Sequence, residues 1–401
     1  YFNTPQMERP SHKQAIKFNI LAYLLTYVAY MTLTISMSLT PYVANALQLT
    51  HSDAQIGMSL SFLTFSISAV LFATLSDIFS AHNILAVSQL LSIAGLFVIA
   101  ASQNVLWVFI GFFLLGLGTG CYSSISRALI SRHAQDVTRM RRAYAVLSCC
   151  IIIAPVMSAY LALLLLPISW RAGYIAMALI EILLFAYSRP LLKVDKSLQK
   201  LIPKHAITSG FKHALYQKTY VFNVVIVAIL FSFYLSVLMN SFRSILLNQF
   251  ALSPLLFGIL FLGASVFYIF GILLYRQLAE HTDKKRYNFG ALLLLFLGVL
   301  YLTLVSINII NIVLAIYYIC LVTGFLVPMT TGAAMTKITK GHGAAAAMIT
   351  FSVAFFMAMW EFTRAYLPYS SYHFMLFALW VSFVIVAFLR VLLYRLVKNS
   401  H

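Results

Sequence analysis

Glu181 is the carboxylate set deepest in an apolar run, MALIEILLFAY, with no other charged residue between Arg171 and Arg189. A lone carboxyl surrounded by hydrocarbon is costly and persists where it functions or where a neighbouring helix hydrogen-bonds it. In the first case it takes and releases a proton during a transport cycle; in the second it is a structural acid. Glu361 and Arg364 lie at i, i+3, a spacing at which two side chains on one helix can pair, and a structural ion pair near a membrane surface is expected of them. Arg127 and Arg243 each occur toward the end of an apolar stretch that contains no acid. Arginine binds carboxylates bidentately, so the two arginines point to a cavity for an anionic or zwitterionic small molecule; the other reading is a pair of anchors that snorkel to the interface. No nucleotide-binding loop, nucleophile-base set or metal-ligand spacing occurs, and neither a cofactor nor a metal is expected. Cys121, Cys149, Cys150 and Cys320 all fall in apolar segments and read as small core residues. His82, His133 and His342 fall in loops and read as solvated.

The elements that position these residues are membrane spans. Of 401 residues, 62% are hydrophobic and only 9% charged, well below the roughly 25% charged of soluble domains. The longest polar segment is too short for a catalytic domain, which disfavours an enzyme. At about 20 apolar residues per crossing, the chain divides into twelve stretches: 18–44, 54–76, 84–102, 105–131, 143–166, 172–188, 219–247, 255–278, 288–307, 309–335, 342–366 and 372–394. The first is long and lacks a small-residue cleavage site, so it is expected to be a retained span rather than a signal peptide. The net charge of +18 sorts by side: 23 of the 27 lysines and arginines fall in alternate loops and the two ends. By the positive-inside rule both termini are cytoplasmic. The charge is therefore a topology signal and not a nucleic-acid surface. The long basic break at 189–218 separates a bundle over 1–188 from one over 219–401, the plan of transporters made of two pseudo-symmetric six-helix halves around a midplane site.

Several spans carry polar stripes at helical spacing. In the fourth, Gly116, Gly120, Ser123 and Arg127 share a face, read as one wall of a transport pathway. Tyr27, Tyr30, Thr34, Met37 and Pro41 share a face in the first, Ser232, Ser236, Asn240 and Arg243 in the seventh, and Tyr317, Cys320, Gly324, Pro328 and Thr331 in the tenth. Tyr27, Tyr30, Thr34, Ser123, Arg127, Ser236, Asn240, Arg243 and Tyr317 are the expected substrate-lining set. Helix packing is the competing reading for the aromatic members.

These residues resemble the major facilitator superfamily and, within it, drug:proton antiporters of the Bcr/CflA type. Asp77, in ATLSDIFSAHN, stands where the superfamily has Gly-x-Leu-Ala-Asp-Arg-x-Gly-Arg-Arg. Arg127-Ala128-Leu129-Ile130 is similar to the Arg-Ala-Ile ending span four, Ala154-Pro155 to the antiporter Ala-Pro of span five, Trp170-Arg171 to the Trp-Arg before span six, and Gly343-Ala344-Ala345 to the Gly-Thr-Ala opening span eleven. The resemblance implies twelve helices in the major facilitator fold, an inner-membrane location, and Asp77 and Pro155 as parts of a conformational latch. Departures are clear: Ala73, Ile78, Ser80, Ala81 and His82 replace the loop's other motif residues, and Ala159, Ala162 and Leu163 replace the second proline and the paired glycines of span five. Phe112 replaces the span-four arginine, and Ser36 stands where the subfamily has a first-span acid. The expected function is proton-coupled efflux of drug-like or amphipathic compounds by alternating access, with Glu181 as proton site. The alternatives are transport of an anionic metabolite or carboxylate-type siderophore, and a non-transporting sensor or scaffold of the same fold. The expected partners are the lipid bilayer, a small-molecule substrate and protons.

Overall fold

In hydrocarbon a spanning backbone must satisfy its own hydrogen bonds, so apolar stretches of this length fold as helices. The computed structural model describes residues 12–133, 137–194, 204–278, 284–335, 338, 342–367 and 369–398. The first six spans are α1 (His12–Leu47), α2 (His51–Ile78), α3 (Ala81–Ala101), α4 (Val105–Thr119) with α5 (Tyr122–His133), α6 (Val137–Leu165) and α7 (Trp170–Val194). A short helix, α8 (Lys204–Tyr216), lies in the central break. The seventh span is composite: α9 (Lys218–Ser232), a π-helical turn Phe233–Leu238, α10 (Met239–Ser244) and a second π-helical turn Ile245–Gln249. Five spans follow: α11 (Pro254–Leu278), α12 (Lys284–Leu304), α13 (Ile309–Met335), α14 (His342–Tyr366) and α15 (Ser371–Lys398). Eleven of these spans are long and apolar enough to cross a bilayer, and Leu292–Leu304 of α12 is a shorter apolar helix.

The hydropathy reading located every span, and it differs from the structure in two respects. The fourth and seventh spans are interrupted: a turn at Gly120–Cys121 separates α4 from α5, and π turns flank α10. The sixth span runs past Pro190 to Val194 and the first begins at His12, because polar ends continue as helix beyond the apolar core. Thr50 caps α2 through a reciprocal capping box with Asp53, and Asn104 caps α4. Arg171 donates from Nε and Nη2 to the carbonyls of Ala100 and Ser102, 2.9 and 3.2 Å, closing the end of α3.

The helices form two bundles whose pairings repeat. In the first, α1 packs on α6, α2 and α3 on α4, and α3 on α7. In the second, α9 packs on α14, α11 and α12 on α13, and α12 on α15, the same pairings six spans later. Close seams hold both, since helices in lipid associate by packing where small residues let backbones approach. A side chain on Gly116 would strike the Ser61 carbonyl of α2, and one on Gly324 the Tyr268 carbonyl of α11. Leu90, Leu183, Ile259, Phe270, Leu293 and Phe388 are among the apolar side chains exposed on the outside, where the solvent is lipid. The halves meet along α2 against α14, α6 against α11 and α5 against α14.

Candidate functional site

The bundles close on each other at both ends. Near the face where α1 begins and α15 ends, here the terminal face, Arg127 Nη1 donates to Thr350 Oγ1 at 2.8 Å and to the Ala346 carbonyl at 3.4 Å, tying α5 to α14. Toward the opposite, far face, Ser59 Oγ donates to the Ala358 carbonyl at 2.8 Å, tying α2 to α14. Between the halves, Ser265 of α11 donates to the Ile152 carbonyl of α6 at 3.0 Å.

What remains between the halves is a narrow crevice toward the far face, formed by α1, α6, the seventh span and α11. One part, about 200 Å³, is lined by Ser38, Leu39, Tyr42, Ala159, Ala162, Leu163, Leu166, Arg243 and Leu247. An adjoining part, about 210 Å³, is lined by Thr34, Met37, Ser38, Pro155, Ala159, Met239, Asn240, Arg243 and Phe261. Ser38, Ala159 and Arg243 border both, so the two parts adjoin with an arginine between them. These volumes count all space between atoms, open solvent included; the room left inside either part is that of about one water, so the halves must part to admit a ligand.

Arg243 is only 7% exposed. Its Nη2 donates to Asn240 Oδ1 at 3.1 Å, one helical turn back, and its Nε has no hydrogen-bond partner. Two further charges stand behind it. Glu361 of α14 accepts at Oε1 from Ser236 Oγ, with Oε2 unpartnered. Arg364 donates from Nη2 to Ser371 Oγ at 3.1 Å and lies 5.2 Å from the Phe374 ring, with Nη1 unpartnered. Both are buried; Glu361 and Arg364 are one turn apart on α14, and Ser236, which holds the carboxyl, and Asn240, which holds the Arg243 guanidinium, belong to adjacent turns of the seventh span. The surface ion pair expected of Glu361 and Arg364 is not what forms. Both side chains are withdrawn from the surface, and Ser236 of the seventh span and Ser371 of α15 draw them toward different partners.

Glu181 lies elsewhere. It is fully buried inside the first bundle, where Oε1 accepts from Thr32 and Ser92, each at 3.0 Å, and Oε2 from Tyr122 at 2.9 Å. Three hydroxyls from α1, α3 and α5 thus converge on a carboxyl from α7, and none of these residues lines the crevice.

The structure brings Thr34, Asn240 and Arg243 to the crevice, places Ser236 just behind it on Glu361, and disperses the others. Arg127 joins the halves at the terminal face. Thr34 Oγ1 also lies 2.8 Å from Ser158 Oγ, linking α1 to α6. Tyr30 is buried edge-on against Phe65 of α2, centroids 6.0 Å apart, and half-buried Tyr27 packs on the core beside it. Ser123 is fully buried with its hydroxyl unpartnered. The glycines of its stripe serve the seam with α2, so only the Arg127 end of that stripe reaches the other half. Tyr317 donates to the Leu260 carbonyl at 2.8 Å and stacks on Phe267; it belongs to the contact of α13 with α11. Pro155 lines the crevice. Asp77 lies in the last turn of α2 with its side chain outside the described residues, as are those of His133 and His342. His82 is partly buried at the start of α3, its Nδ1 without a partner, and not solvated in a loop. Cys121 and Cys320 are buried, Cys149 and Cys150 half-buried, and all four are free. Ser38 and Tyr42 were not among the expected lining residues, although they continue the Thr34 stripe at i+4 and i+8. Among the described residues no three His, Cys, Asp or Glu side chains converge as metal ligands.

The family model described as Major Facilitator Superfamily matches residues 20–362. No curated protein matches the chain. Among solved structures, a POT family transporter in complex with 5-aminolevulinic acid is 13% identical, with TM-score 0.71 over 94% of this chain and 96% of that one. The peptide transporter POT in complex with sulfate is 16% identical, with TM-score 0.72 over 98% of this chain and 96% of that one.

Proposed function

We propose that this chain, which belongs to the Major Facilitator Superfamily and is a transporter rather than an enzyme, carries an amphipathic organic anion or zwitterion by alternating access through the crevice at Arg243. The carrying observation is a buried guanidinium, free at Nε, facing a space walled by both halves. A buried cation without a bonded carboxylate is unfavourable, and a ligand carboxylate that bonds it would relieve that cost. Met37, Met239, Phe261 and Pro155 on the same walls suit an apolar body. Transporters of similar fold bound to 5-aminolevulinic acid and to sulfate are in keeping with an anionic group, though the likeness to them is one of fold. Efflux of drug-like compounds shares the apolar walls and differs in the charge required at Arg243.

In this reading 1–188 and 219–401 are the moving halves, joined by 189–218. The basic loops put both termini and the Arg127 tie on the cytoplasmic side of an inner membrane, and the Arg243 crevice toward the opposite side. Flux into proteoliposomes of amphipathic acids, zwitterions and amines of matched skeleton, with and without a pH gradient, tests the proposal. A hydrogen bond to a charged group contributes about 1.5–3 kcal/mol. Arg243→Ala is therefore expected to lower acid flux on the order of tenfold to a hundredfold, with Arg243→Lys intermediate because it keeps the charge but not the planar fork. Wild-type protein that moves amines and excludes acids would assign the crevice to cations, and protein that moves nothing would favour a sensor or scaffold.

A further inference from the structure

We infer that Glu361 sets the charge of the substrate, so that the site accepts one negative charge and rejects two. The inference rests on the assignment of Arg243 to the substrate. Counted together, the buried group behind the crevice holds two guanidiniums, Arg243 and Arg364, and one carboxyl, Glu361. With Glu361 ionised beside two guanidiniums the group carries one uncompensated positive charge, and Glu361 Oε1 accepts from Ser236. A monoanion on Arg243 brings the sum to zero. A dianion leaves a negative charge in a region where unpaired charge is costly.

Among the described residues no other charged group is placed to balance the count. Of the elements packed on α14, α2 offers Asp53, which lies outside the group and is engaged with Thr50 in its capping box. Arg127 of α5 contacts Thr350, about 16 Å along α14 from Glu361 at 1.5 Å rise per residue. Lys212 and His213 of α8 and Lys218 of α9 lie toward the terminal face, where Tyr220 of α9 donates to the Ala345 carbonyl at the start of α14. The Tyr234 hydroxyl, in the π turn, lies 3.4 Å from Ser265. Arg364, one turn from Glu361 on the same helix, lines no part of the crevice and reaches the seventh span through Ser371, which donates to Ser244 Oγ at 2.9 Å.

The test compares purified protein binding 4-phenylbutyrate, with one carboxylate, and phenylsuccinate, with two on a similar skeleton, by calorimetry near neutral pH. Wild type is expected to prefer the monoanion. Glu361→Gln raises the net positive charge by one and is expected to shift the preference toward the dianion by on the order of a hundredfold, the scale of a charge pair several ångströms apart at an effective dielectric near 20. Arg364→Gln neutralises the group and is expected to weaken both ligands. The double variant Glu361→Gln/Arg364→Gln restores the single positive charge and with it the wild-type preference, an outcome that lost packing would not produce. An unchanged preference in Glu361→Gln, or a double variant that binds without regaining monoanion selectivity, overturns the inference while leaving Arg243 as the anion site. A wild type that binds neither acid overturns both readings.

Discussion

At the scale of single residues, the two buried glutamates show that depth in an apolar run says little about role. Glu181 satisfies three hydroxyls from three helices, and Glu361 shares its surroundings with two arginines. Replacing Glu181 by Leu leaves Thr32, Ser92 and Tyr122 without their acceptor, although the Thr and Ser hydroxyls can turn back to carbonyls of their own helices, as Thr34 does to Tyr30. Interhelical hydrogen bonds in membranes average about 0.6 kcal/mol, so Glu181→Leu is expected to cost roughly 1–2 kcal/mol and to lower the unfolding midpoint in detergent. Glu181→Gln, which keeps an acceptor for the two hydroxyls at Oε1, is expected to stay close to wild type. Equal midpoints for the Leu variant and wild type would show that the hydroxyl knot contributes nothing. That Glu181 is buried was readable from its neighbours in sequence. Its partners were not, because helical periodicity describes one face at a time and cannot say which faces meet. The same blindness put Tyr317 and Ser123, which pack inside their own halves, in the expected lining and left out Ser38 and Tyr42, which border the crevice.

At the scale of elements, the spans were legible because hydrocarbon leaves an apolar stretch no other way to satisfy its backbone. Their seams were not, since small residues serve pathways and close packing equally well. The stripes of the fourth and tenth spans resolve as equivalent seams, Gly116 on α2 and Gly324 on α11, one in each half. Because the obstacle at each is a backbone carbonyl and not a movable side chain, Gly116→Val and Gly324→Val are each expected to force their helix pair apart. Overpacking of this kind costs about 1–3 kcal/mol or more, which would be read as reduced folded yield and a lower midpoint. Gly290→Ala in α12, where an added Cβ meets nothing within 4 Å, is the matched control and is expected to be neutral or stabilising by up to about 1 kcal/mol. Should the two valine variants match that control, the seams are looser than the structure has them. Span seven shows what hydropathy cannot register at all: two π turns bracket the six residues that carry Asn240 and Arg243. Such turns often mark functional sites.

At the scale of the molecule, α14 is the element both closures share. It takes Ser59 from α2 toward one face and Arg127 from α5 toward the other, so a rocking of the halves must break one contact while keeping the other. The two ties are unequal. Arg127 makes a charge-assisted bond to Thr350 and a longer one to a carbonyl, whereas Ser59 makes a single neutral bond. Removing the stronger tie should favour opening at the terminal face, and a loss of about 1.4 kcal/mol corresponds to a tenfold change in population. Arg127→Ala is accordingly expected to raise thiol labelling of a reporter cysteine placed at Ala346, which keeps both acceptors of Arg127, several-fold in a background lacking the four native cysteines. The opposite closure can be held covalently. Ser59→Cys with Ala358→Cys in that background places two thiols where a hydroxyl now reaches the facing backbone, and oxidation should abolish flux until the bond is reduced. If the cross-linked protein transports at the wild-type rate, the halves do not part along α2 and α14. The far-face crevice at Arg243 would then have to fill by a route that leaves this contact intact, which a rigid rocking of two bundles does not provide.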